Sequence, residues 1–415
     1  MTLSEELVWR GFIQQSTFTD LKDLDKQTWT FYHGFDASAD SQTIGNLAGM
    51  MLDKLFIRHG SKAILLAGGA TSLIGDPGGK DKERPLQTEE TIAHNVAKAE
   101  EQIKKIFVGQ DFTLVNNLDW TKDMTVLQFL RDIGKNFSMT PLVQRDYIAQ
   151  RIGDQGAGIS FTEFSYTILQ GYDYLHLFED MGANLQLGGS DQWGNLLSGV
   201  DLIRRVHNQT VHALTMPLII NKATGKKFGK SEDGAVWLDP TKTTPTQFYQ
   251  FWINADDQGV EDYLKIFTEL EKETIERIMA EHNQNPQARV AQKALADAAT
   301  ELVHGKEEAE NARMITAVLT GQTSVSEVSN EVIAIMRTEL PHAQIAQGSS
   351  VIEALVSTSL APSNSEARRL IAGNAVYING QPSAKENFDV NDFQNGRLLL
   401  RRGKALKDTA LIELS

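Results

Sequence analysis

The chain has 415 residues, 41% of them hydrophobic, which is enough for one large globular domain and one or two smaller ones. A charged fraction of 23% disfavours disorder, and the absence of cysteine excludes disulfides and cysteine-bound metals. The N-terminus lacks a signal-peptide core and no apolar run approaches the roughly 18 residues of a membrane span, so we expect a soluble, cytoplasmic protein with no membrane partner.

The net charge of −14 is unevenly distributed along the chain. Residues 349–415 carry eight basic and seven acidic side chains, so the acidic excess lies entirely before residue 349. Because Lys and Arg bind phosphate backbones, this C-terminal segment is the expected place for an RNA contact. The same charge also fits an ordinary small domain without such a partner.

Residues 29–220 alternate short apolar runs with amphipathic stretches, which is typical of a parallel sheet covered by helices. Strands are predicted at Trp29–Phe35, Ala63–Leu66, Phe112–Val115, Leu185–Leu187 and Leu218–Ile220. Helices are predicted at Ile44–Arg58, Thr91–Phe107, Val126–Ile133 and Phe161–Glu179. The predicted fold class is α/β, with a Rossmann-like doubly wound parallel sheet that contains an inserted segment.

Four further segments complete the predicted organisation after the sheet domain at 1–220. Residues 221–244 form a loop and connection, and residues 245–320 favour helix throughout, which predicts a helical domain. Residues 321–348 are rich in Ser, Thr and Gln and are interpreted as a linker. Residues 349–415 predict a small α+β module, with two short helices and a hairpin-like turn at Asn379-Gly380.

Two segments in the first half of the sheet domain could bind phosphate. YHGFDASADSQTIGNL, from Tyr32 to Leu47, runs from a strand through a glycine turn into a helix, whose N-terminus attracts anions. GGATSLIGDPGGK, from Gly68 to Lys80, lets the backbone approach a ligand closely, but its glycine spacing is not that of a P-loop. Each also fits a structural reading, as an ordinary strand–helix connection and a turn-rich surface loop.

Two later segments offer polar side chains in patterns that suit a binding site. GKKFGKS, from Gly225 to Ser231, is one residue short of a P-loop and fits either a mobile lysine loop over triphosphate or a solvated hinge. In FTEFSYTILQGYDYLHLFED, Tyr166, Gln170 and Asp173 share one helical face, either in a pocket or towards water. LQLGGSDQWGN repeats the strand, turn and helix arrangement, with Asp191 as a helix cap or a ribose ligand.

In this order and at these separations, the segments resemble the class I tyrosyl-tRNA synthetases. TIGN at Thr43–Asn46 stands at the HIGH signature, KFGKS at Lys227–Ser231 matches the KMSKS signature, and FTEFSYTILQGYDY and GGSDQWGN match almost letter for letter. The resemblance covers nearly the whole chain, with an anticodon-binding-type helical domain and a C-terminal module like the RNA-binding domain of a small-subunit ribosomal protein. Thr43 and Asn46 replace both signature histidines, and His33 stands where the family often has a small residue.

The resemblance implies a division of labour among these residues. Those expected to bind tyrosine are Tyr32, Asp76, Tyr166, Gln170, Asp173 and Gln192. Those expected to bind ATP or the adenylate are Gly34, Asp36, Ser38, Gly45, Asn46, Gly189, Asp191 and Lys230. The expected catalytic residues are Thr43, Lys80, Arg84, Lys227, Lys230 and Ser231. The implied partners are L-tyrosine, ATP with Mg²⁺, tRNA(Tyr) and a second copy in a homodimer, with no metal held by the protein itself.

Two other functions remain open from the residues. A tryptophanyl-tRNA synthetase would share the architecture, although Tyr32 with Asp173 suits a phenol better than an indole. A synthetase-derived RNA-binding protein without activation activity is suggested by the two missing histidines, although the retained lysines disfavour it. In either case the side chains expected to contact RNA are Arg368, Arg369, Arg401, Arg402 and Lys404.

Overall fold

The computed structural model describes residues 1–76, 86–143, 146–152, 158–225, 228–231 and 234–415. The chain forms two compact units: one contains Met1–Thr243 and Ala255–Ala298, the other Thr244–Asn254 and Ala299–Ser415. Both units therefore draw on residues 245–320, which the sequence predicts as a separate domain. In the described part of the chain, no helix has the length and apolar character needed to cross a membrane.

The first unit is built on a six-stranded sheet with the order β1-β6-β5-β2-β3-β4. Its strands are β1 Gln15–Ser16, β2 Thr30–Asp36, β3 Lys62–Gly68, β4 Phe112–Asn116, β5 Leu185–Gly189 and β6 His212–Met216. All neighbours are parallel except β1 with β6. The strand order reverses between β2 and β5, which is the place where a doubly wound sheet opens a crevice for ligands. The predicted α/β, doubly wound fold class is confirmed.

One predicted strand is wrong. The fifth parallel strand is His212–Met216, which pairs with β5, and not Leu218–Ile220. Pro217 follows directly and lacks the N–H that a central strand needs, and Leu218 and Ile220 are exposed. The other four predicted strands are confirmed, while the short antiparallel edge strand β1 was not anticipated.

Helices cover the sheet and build most of the remaining chain. Their bounds are α1 Leu3–Arg10, α2 Ile44–Arg58, α3 Gly69–Ile74, α4 Glu89–Ile106, α5 Leu118–Thr121, α6 Val126–Gln128, α7 Met139–Val143, α8 Asp146–Ile152, α9 Phe161–Met181, α10 Trp193–His207, α11 Pro245–Ile253, α12 Val260–Phe267, α13 Lys272–Gln284, α14 Val290–His304, α15 Lys306–Leu319, α16 Asn330–Glu339, α17 Val351–Ser357 and α18 Asn364–Ala372. The helices predicted from positions 44, 91 and 161 are confirmed, and the one predicted at 126–133 continues from α6 as a π-helical turn. A two-stranded hairpin, β7 Lys230–Ser231 with β8 Gly234–Ala235, follows β6.

Helix α9 positions most of the polar side chains of interest. The Ser160 side chain caps its start by accepting from the Glu163 N–H, and Gly182 ends it with a φ of 70°. It packs closely on α10: a Cβ on Gly199 would come within 2.7 Å of the Tyr174 ring. This contact fixes the rotation of α9 about its axis and therefore the direction of its polar face.

The second unit contains a five-stranded sheet with the order β11-β10-β12-β13-β9. Its strands are β9 His342–Ile345, β10 Val376–Ile378, β11 Gln381–Pro382, β12 Arg397–Arg402 and β13 Thr409–Leu414. The predicted turn at Asn379-Gly380 is confirmed, with φ values of 49° and 81°. Both faces of the sheet are covered, because Leu398 and Leu400 join one core and Leu399 joins another.

The interpretation of residues 321–348 as a linker is wrong. This segment contains α16 and β9, and β9 pairs in parallel with β13. Val332, Ile333 and Met336 of α16 pack into a buried core with Leu399. One of the polar residues that suggested a linker is Ser329, and its side chain caps α16.

Candidate active site

A cavity of about 690 Å³ lies in the first unit, at the carboxyl ends of β2 and β5. The predicted site residues that line it are Tyr32, Gly34, Asp36, Thr43, Gly45, Asn46, Asp76, Tyr166, Gln170, Asp173, Gly189, Asp191 and Gln192. The structure thus brings together side chains from segments up to about 160 positions apart. Their roles in binding stay predictions.

Some predicted residues lie elsewhere or outside the described residues. Ser38 does not line the cavity; it is exposed, and its carbonyl accepts a hydrogen bond from Gln87. Lys80, Arg84 and Lys227 fall outside the described residues. For Lys230 and Ser231 the backbone is described: it forms β7, next to Phe228 and Gly229, which do line the cavity.

At one end of the cavity, a buried carboxylate is held by two donors. Asp173 is 3% exposed, and its two oxygens accept hydrogen bonds from Asn117 Nδ2 and Trp120 Nε1, each at 2.9 Å. Tyr32, 1% exposed, also lines the cavity, and among the described residues its hydroxyl makes only a long 3.5 Å contact, to the Gln170 carbonyl. A buried hydroxyl and a buried carboxylate therefore face the same space.

Electrostatics assign a donor and an acceptor to this pair. Burial raises the pKa of Asp173 to about 7, although the hydrogen bonds from Asn117 and Trp120 pull it down. Burial also raises the pKa of Tyr32 well above its usual value, and the Asp173 charge raises it further. Tyr32 is therefore a permanent O–H donor, and ionised Asp173 is an acceptor, so the pair suits a ligand hydroxyl that both accepts and donates.

A chain of side-chain hydrogen bonds leads to two residues that line the cavity, Gln192 and Asp76. Thr167 donates to Asn195 at 2.7 Å, Asn195 donates to Gln192 at 3.0 Å, and Gln192 donates to Asp76 at 2.6 Å. Each amide thereby fixes the orientation of the next. Gln170 also lines the cavity, and its Oε1 is buried and has no hydrogen-bond partner among the described residues. Acceptor oxygens here suit a cationic or donor-rich group.

At the opposite side of the sheet, the start of α2 faces the cavity. The Thr43 hydroxyl donates to Asn46 Oδ1 at 2.8 Å, and the Thr43 N–H donates to the same atom at 2.9 Å. Thr43 and Asn46 therefore cap the helix together, and the Thr43 proton is already used within the protein. The Ile44 N–H donates to the Val236 carbonyl at 3.1 Å, which ties the segment after β8 to this helix start.

The cavity is acidic in the described part of the chain. Four carboxylates line it, those of Asp36, Asp76, Asp173 and Asp191, and none of the described lining residues is Lys or Arg. A Cβ on Gly189 would come within 2.6 Å of Asp191 Oδ1, so a larger residue there would push this carboxylate aside. The described lining of the cavity therefore offers no cationic side chain to an anionic ligand.

Sequence reasoning missed Asn117 and Trp120, which hold Asp173, and the partner of His33. Asn117 and Trp120 follow directly after β4, at the same edge of the sheet as the other site residues. That position was the available signal, since the carboxyl ends of parallel strands share one edge. Nothing in the local sequence indicates that His33 contacts Asp53, at 2.8 Å.

In the second unit, the predicted RNA-binding residues differ in how they are engaged. The Arg401 guanidinium lies 5.1 Å from the centre of the Tyr377 ring, and Arg402 donates to Leu360 and Asp408. Arg369 is exposed and pairs with Glu366 at 2.8 Å. Arg368 and Lys404 are exposed, without an ion pair in the described residues.

A doubly wound parallel sheet with a polar cavity at its switch point is the arrangement in which α/β proteins commonly bind nucleotides and other polar ligands. Residues 24–319 match the family described as "tRNA synthetases class I (W and Y)", and residues 331–407 match "Tyrosine--tRNA ligase SYY-like C-terminal domain". The chain belongs to the class I tRNA synthetases of this tryptophan and tyrosine family, in its tyrosine branch.

Individual relatives agree over the full length. The chain is 42% identical over 425 residues to tyrosine–tRNA ligase 2 of Bacillus cereus, covering 100% of both chains. It is 45% identical over 413 residues to tyrosine–tRNA ligase of Salmonella paratyphi B, covering 97% of each. Among solved structures, a C-terminally truncated mitochondrial tyrosyl-tRNA synthetase of Aspergillus nidulans superimposes with a TM-score of 0.69 at 32% identity, over 76% of this chain and 93% of that one.

Proposed function

We propose that this protein is a tyrosine–tRNA ligase, which activates L-tyrosine with ATP and transfers it to tRNA. The observation that carries the proposal is that buried Tyr32 and buried Asp173 line the same cavity. The substrate phenol would accept from the Tyr32 hydroxyl and donate to the Asp173 carboxylate. Phenylalanine would leave both groups buried and unpaired, which costs binding energy.

The tyrosine ammonium group would lie against the hydrogen-bonded chain above this pair. Asp76 supplies negative charge and is oriented by Gln192. The Gln170 Oε1 atom, buried and unpaired in the described residues, supplies an acceptor. Tyr166, which donates to Asp36 at 3.3 Å, would complete the site. The substrate carboxylate would then point towards Gln192 and the start of α10.

ATP would occupy the side of the cavity formed by the α2 start and the β5 to α10 turn. Gly34, Asp36, Gly45, Asn46 and Gly189 line this region, and Asp191 would bind the ribose. The tyrosine carboxylate attacks the α-phosphorus and pyrophosphate leaves. Because the nucleophile is already an anion, positioning and charge stabilisation are sufficient and no general base is needed.

The cations for this step would come from two segments. Lys80 and Arg84 lie on one, and Lys227 and Lys230 on the other, with Ser231 as a hydroxyl donor. A Cβ placed on Gly229 would lie 3.5 Å from Ile44 Cβ at the α2 start, and this closeness supports a position of the second segment over the triphosphate. Mg²⁺ would arrive with ATP and neutralise phosphate charge; the described residues contain no group of three His, Cys, Asp or Glu placed to hold a metal.

Transfer to tRNA requires contacts with its phosphate backbone. The exposed residues Arg368, Arg369 and Lys404 of the second unit suit that role directly. Arg401 and Arg402 would have to give up or share contacts with their own chain. We propose that all five contribute, with the first three as the main phosphate ligands.

A homodimer would use the apolar surface of the inserted segment. Val126, Leu127 and Leu130 are 73%, 79% and 51% exposed on one helical stretch, and such clusters mark interfaces between chains. We expect Leu127→Glu to convert the dimer into a monomer in sedimentation velocity. Val390→Glu is the control, because Val390 is an exposed apolar residue in the second unit, and this variant should leave the sedimentation coefficient unchanged. An unchanged dimer in Leu127→Glu would rule out this surface.

Tyrosine-dependent exchange of pyrophosphate into ATP tests the proposed function, with tryptophan and phenylalanine run in parallel. We expect exchange with tyrosine and little with the other two. Preferential exchange with tryptophan would assign the chain to the other branch of its family. If no amino acid supports exchange but tRNA still binds, the chain is a non-catalytic RNA-binding protein. This alternative is worth testing because the Thr43 hydroxyl already donates to Asn46 and is not free to donate to ATP.

A further inference from the structure

Two aromatic side chains outside the cavity hold a residue that lines it. The Phe228 ring stacks on the Tyr263 ring, with centroids 4.2 Å apart and planes at 26°, and its centroid lies 5.8 Å from that of Phe267. Phe228 is 7% exposed and lines the cavity, whereas Tyr263 and Phe267 are buried on α12 and do not line it. Helix α12 thus contacts the cavity lining through Phe228 without reaching the cavity, and it has no part in the function proposed above.

The backbone around Phe228 carries this contact to the start of α2. The Phe228 N–H donates to the Ile219 carbonyl at 2.8 Å, and the Val236 N–H donates to the Gly229 carbonyl at 3.0 Å. The Val236 carbonyl in turn accepts from the Ile44 N–H at 3.1 Å. A continuous series of contacts therefore runs from α12 through Phe228 to the helix start where the proposed function places ATP.

The Tyr263 ring is itself held in place. Its hydroxyl donates to Asp256 Oδ2 at 2.9 Å, while Asp256 Oδ1 accepts from the Gly259 N–H at 2.7 Å. A Cβ on Gly259 would come within 2.5 Å of both Cζ and the hydroxyl oxygen of Tyr263, closer than real Cβ atoms approach. Glycine at position 259 therefore leaves the space that the ring occupies, and Asp256 fixes the direction of its hydroxyl.

The far end of α12 is anchored by the N-terminal helix α1. Arg10, 4% exposed, donates from Nη1 to the carbonyls of Lys265 and Thr268, at 2.7 and 3.1 Å, and from Nη2 to the Leu270 carbonyl at 2.9 Å. Carbonyls at the end of a helix lack partners within it. The Arg10 guanidinium is held in turn by Glu6, which accepts from Nε at 2.8 Å. Charge-assisted hydrogen bonds of this kind are strong, so α12 is a rigid support for Phe228.

Helix α12 also contacts the chain shortly before Phe228. Lys222 forms an ion pair with Asp262, the neighbour of Tyr263. Both side chains of this pair are about half exposed, so it contributes little to stability by itself. Together with the stacked rings, however, it places α12 contacts at both ends of the stretch 222–228.

We propose that Tyr263 is a positioning residue for tyrosine activation, which acts through Phe228 to hold the backbone of residues 228–231 at the start of α2. The inference rests on the proposed ATP-dependent function, in which Lys230 on this backbone supplies charge to the phosphates. Catalysis by positioning depends steeply on distance, so a shift of about 1 Å in this backbone lowers the rate by up to about a hundredfold. The tyrosine side of the cavity, around Asp173, is held by other elements, so tyrosine affinity should not change.

The test measures the rate constant of adenylate formation in pre-steady-state kinetics at saturating ATP, and tyrosine affinity in equilibrium dialysis. Tyr263→Leu removes the stacked ring, and we expect the rate constant to fall roughly tenfold to a hundredfold, with tyrosine affinity within about twofold of wild type. Tyr263→Phe keeps the ring and should restore most of the rate. Phe107→Leu is the control, because it removes another fully buried ring, 5.5 Å from that of Phe112 and outside the cavity lining. This control should match wild type in both measurements.

A double-mutant cycle shows whether Tyr263 acts through Phe228. Phe228→Leu should lower the rate constant to a similar extent, and adding Tyr263→Leu to it should cause little further loss, because the stacked pair is already gone. Gly259→Ala keeps every aromatic ring but displaces that of Tyr263, so it should reproduce the loss. If Tyr263→Leu unfolds, as thermal unfolding would report, Gly259→Ala takes its place in the cycle.

A wild-type rate constant in folded Tyr263→Leu or Gly259→Ala would overturn the inference, as would an equal loss of tyrosine affinity or additive losses in the double variant. Failure of the wild-type protein to exchange pyrophosphate with tyrosine would instead overturn the proposed function. The two failures are therefore distinguishable, because the second is seen without any substitution.

Discussion

Replacing Asp173 by asparagine separates the role of this carboxylate in binding from its role in folding. Both wild-type oxygens accept N–H groups, from Asn117 and Trp120. An amide has one acceptor oxygen, so its NH₂ must face one of these donors and leave it unpaired, at a cost of about 1–3 kcal/mol. The phenol of tyrosine simultaneously loses a charged acceptor.

The cost to folding is offset because the substitution also removes a buried charge. The pKa of Asp173 rises from its usual 3.8 to about 7, so ionisation opposes folding by about 4 kcal/mol at pH 8. The sign follows from the raised pKa: the group stabilises the folded state most below pH 4, and this contribution is lost as pH rises through 7. Asp173→Asn should therefore be no less stable than wild type at pH 8 and relatively less stable at pH 5.

Binding of tyrosine has no such compensation. A hydrogen bond to a charged group contributes about 1.5–3 kcal/mol, so KM for tyrosine in pyrophosphate exchange should rise roughly tenfold to a hundredfold at pH 8. In wild type, tyrosine affinity should increase as pH rises through about 7, where Asp173 ionises, and the variant should lack this dependence. Asp180→Asn, on the exposed end of the same helix, is the matched control. A wild-type KM in Asp173→Asn, or a large loss of thermal stability at pH 8, would refute the reasoning.

Three further outcomes are expected. Lys230→Ala should depress the rate of tyrosine activation far more than tyrosine affinity in pre-steady-state kinetics; an unchanged rate would remove the lysine loop from the mechanism. Gly199→Ala should destabilise the first unit by about 1–3 kcal/mol in urea unfolding, because the new methyl group meets Tyr174; unaltered stability would contradict the tight α9–α10 contact. Two arginine partners hold the pKa of Glu413 below its usual value, so its contribution to stability is present above pH 4.5 and lost as pH falls further; Glu413→Gln should cost about 1 kcal/mol at pH 7 and less at pH 3, and equal costs at both would count against the ion pairs.

Local sequence patterns predicted helices, whose backbone hydrogen bonds lie within one segment, and other elements whose hydrophobic residues recur at a clear period. The polar face of α9 was predictable because helical spacing alone places Tyr166, Gln170 and Asp173 together. The strand at His212–Met216 was not predictable in this way, because its sequence HALTM and the apolar residues around Leu218 are equally compatible with a strand. Only the pairing with β5 determines which of the two segments is buried. Residues 321–348 were misread for a similar reason, since a strand such as β9 is defined by β13, some 70 residues later.

The candidate site shows the same difference between local features, which the sequence predicted, and contacts between distant segments, which it did not. Most residues expected to bind tyrosine or ATP line one cavity, whereas Ser38 does not, and their roles stay predictions. Contacts between motifs were not predicted: Asn117 and Trp120 reach Asp173 across 56 and 53 positions. The pairing of His33 with Asp53 likewise depends on α2 packing over β2, and on a glycine at position 49 that allows it.

The most direct test of the central claim is a crystal structure of the protein with L-tyrosine. The phenol oxygen should lie within about 3 Å of both the Tyr32 hydroxyl and an Asp173 carboxylate oxygen, with the substrate ammonium near Asp76. A tyrosine bound with its ring directed away from this pair, or a pair separated too widely to share one hydroxyl, would contradict the claim.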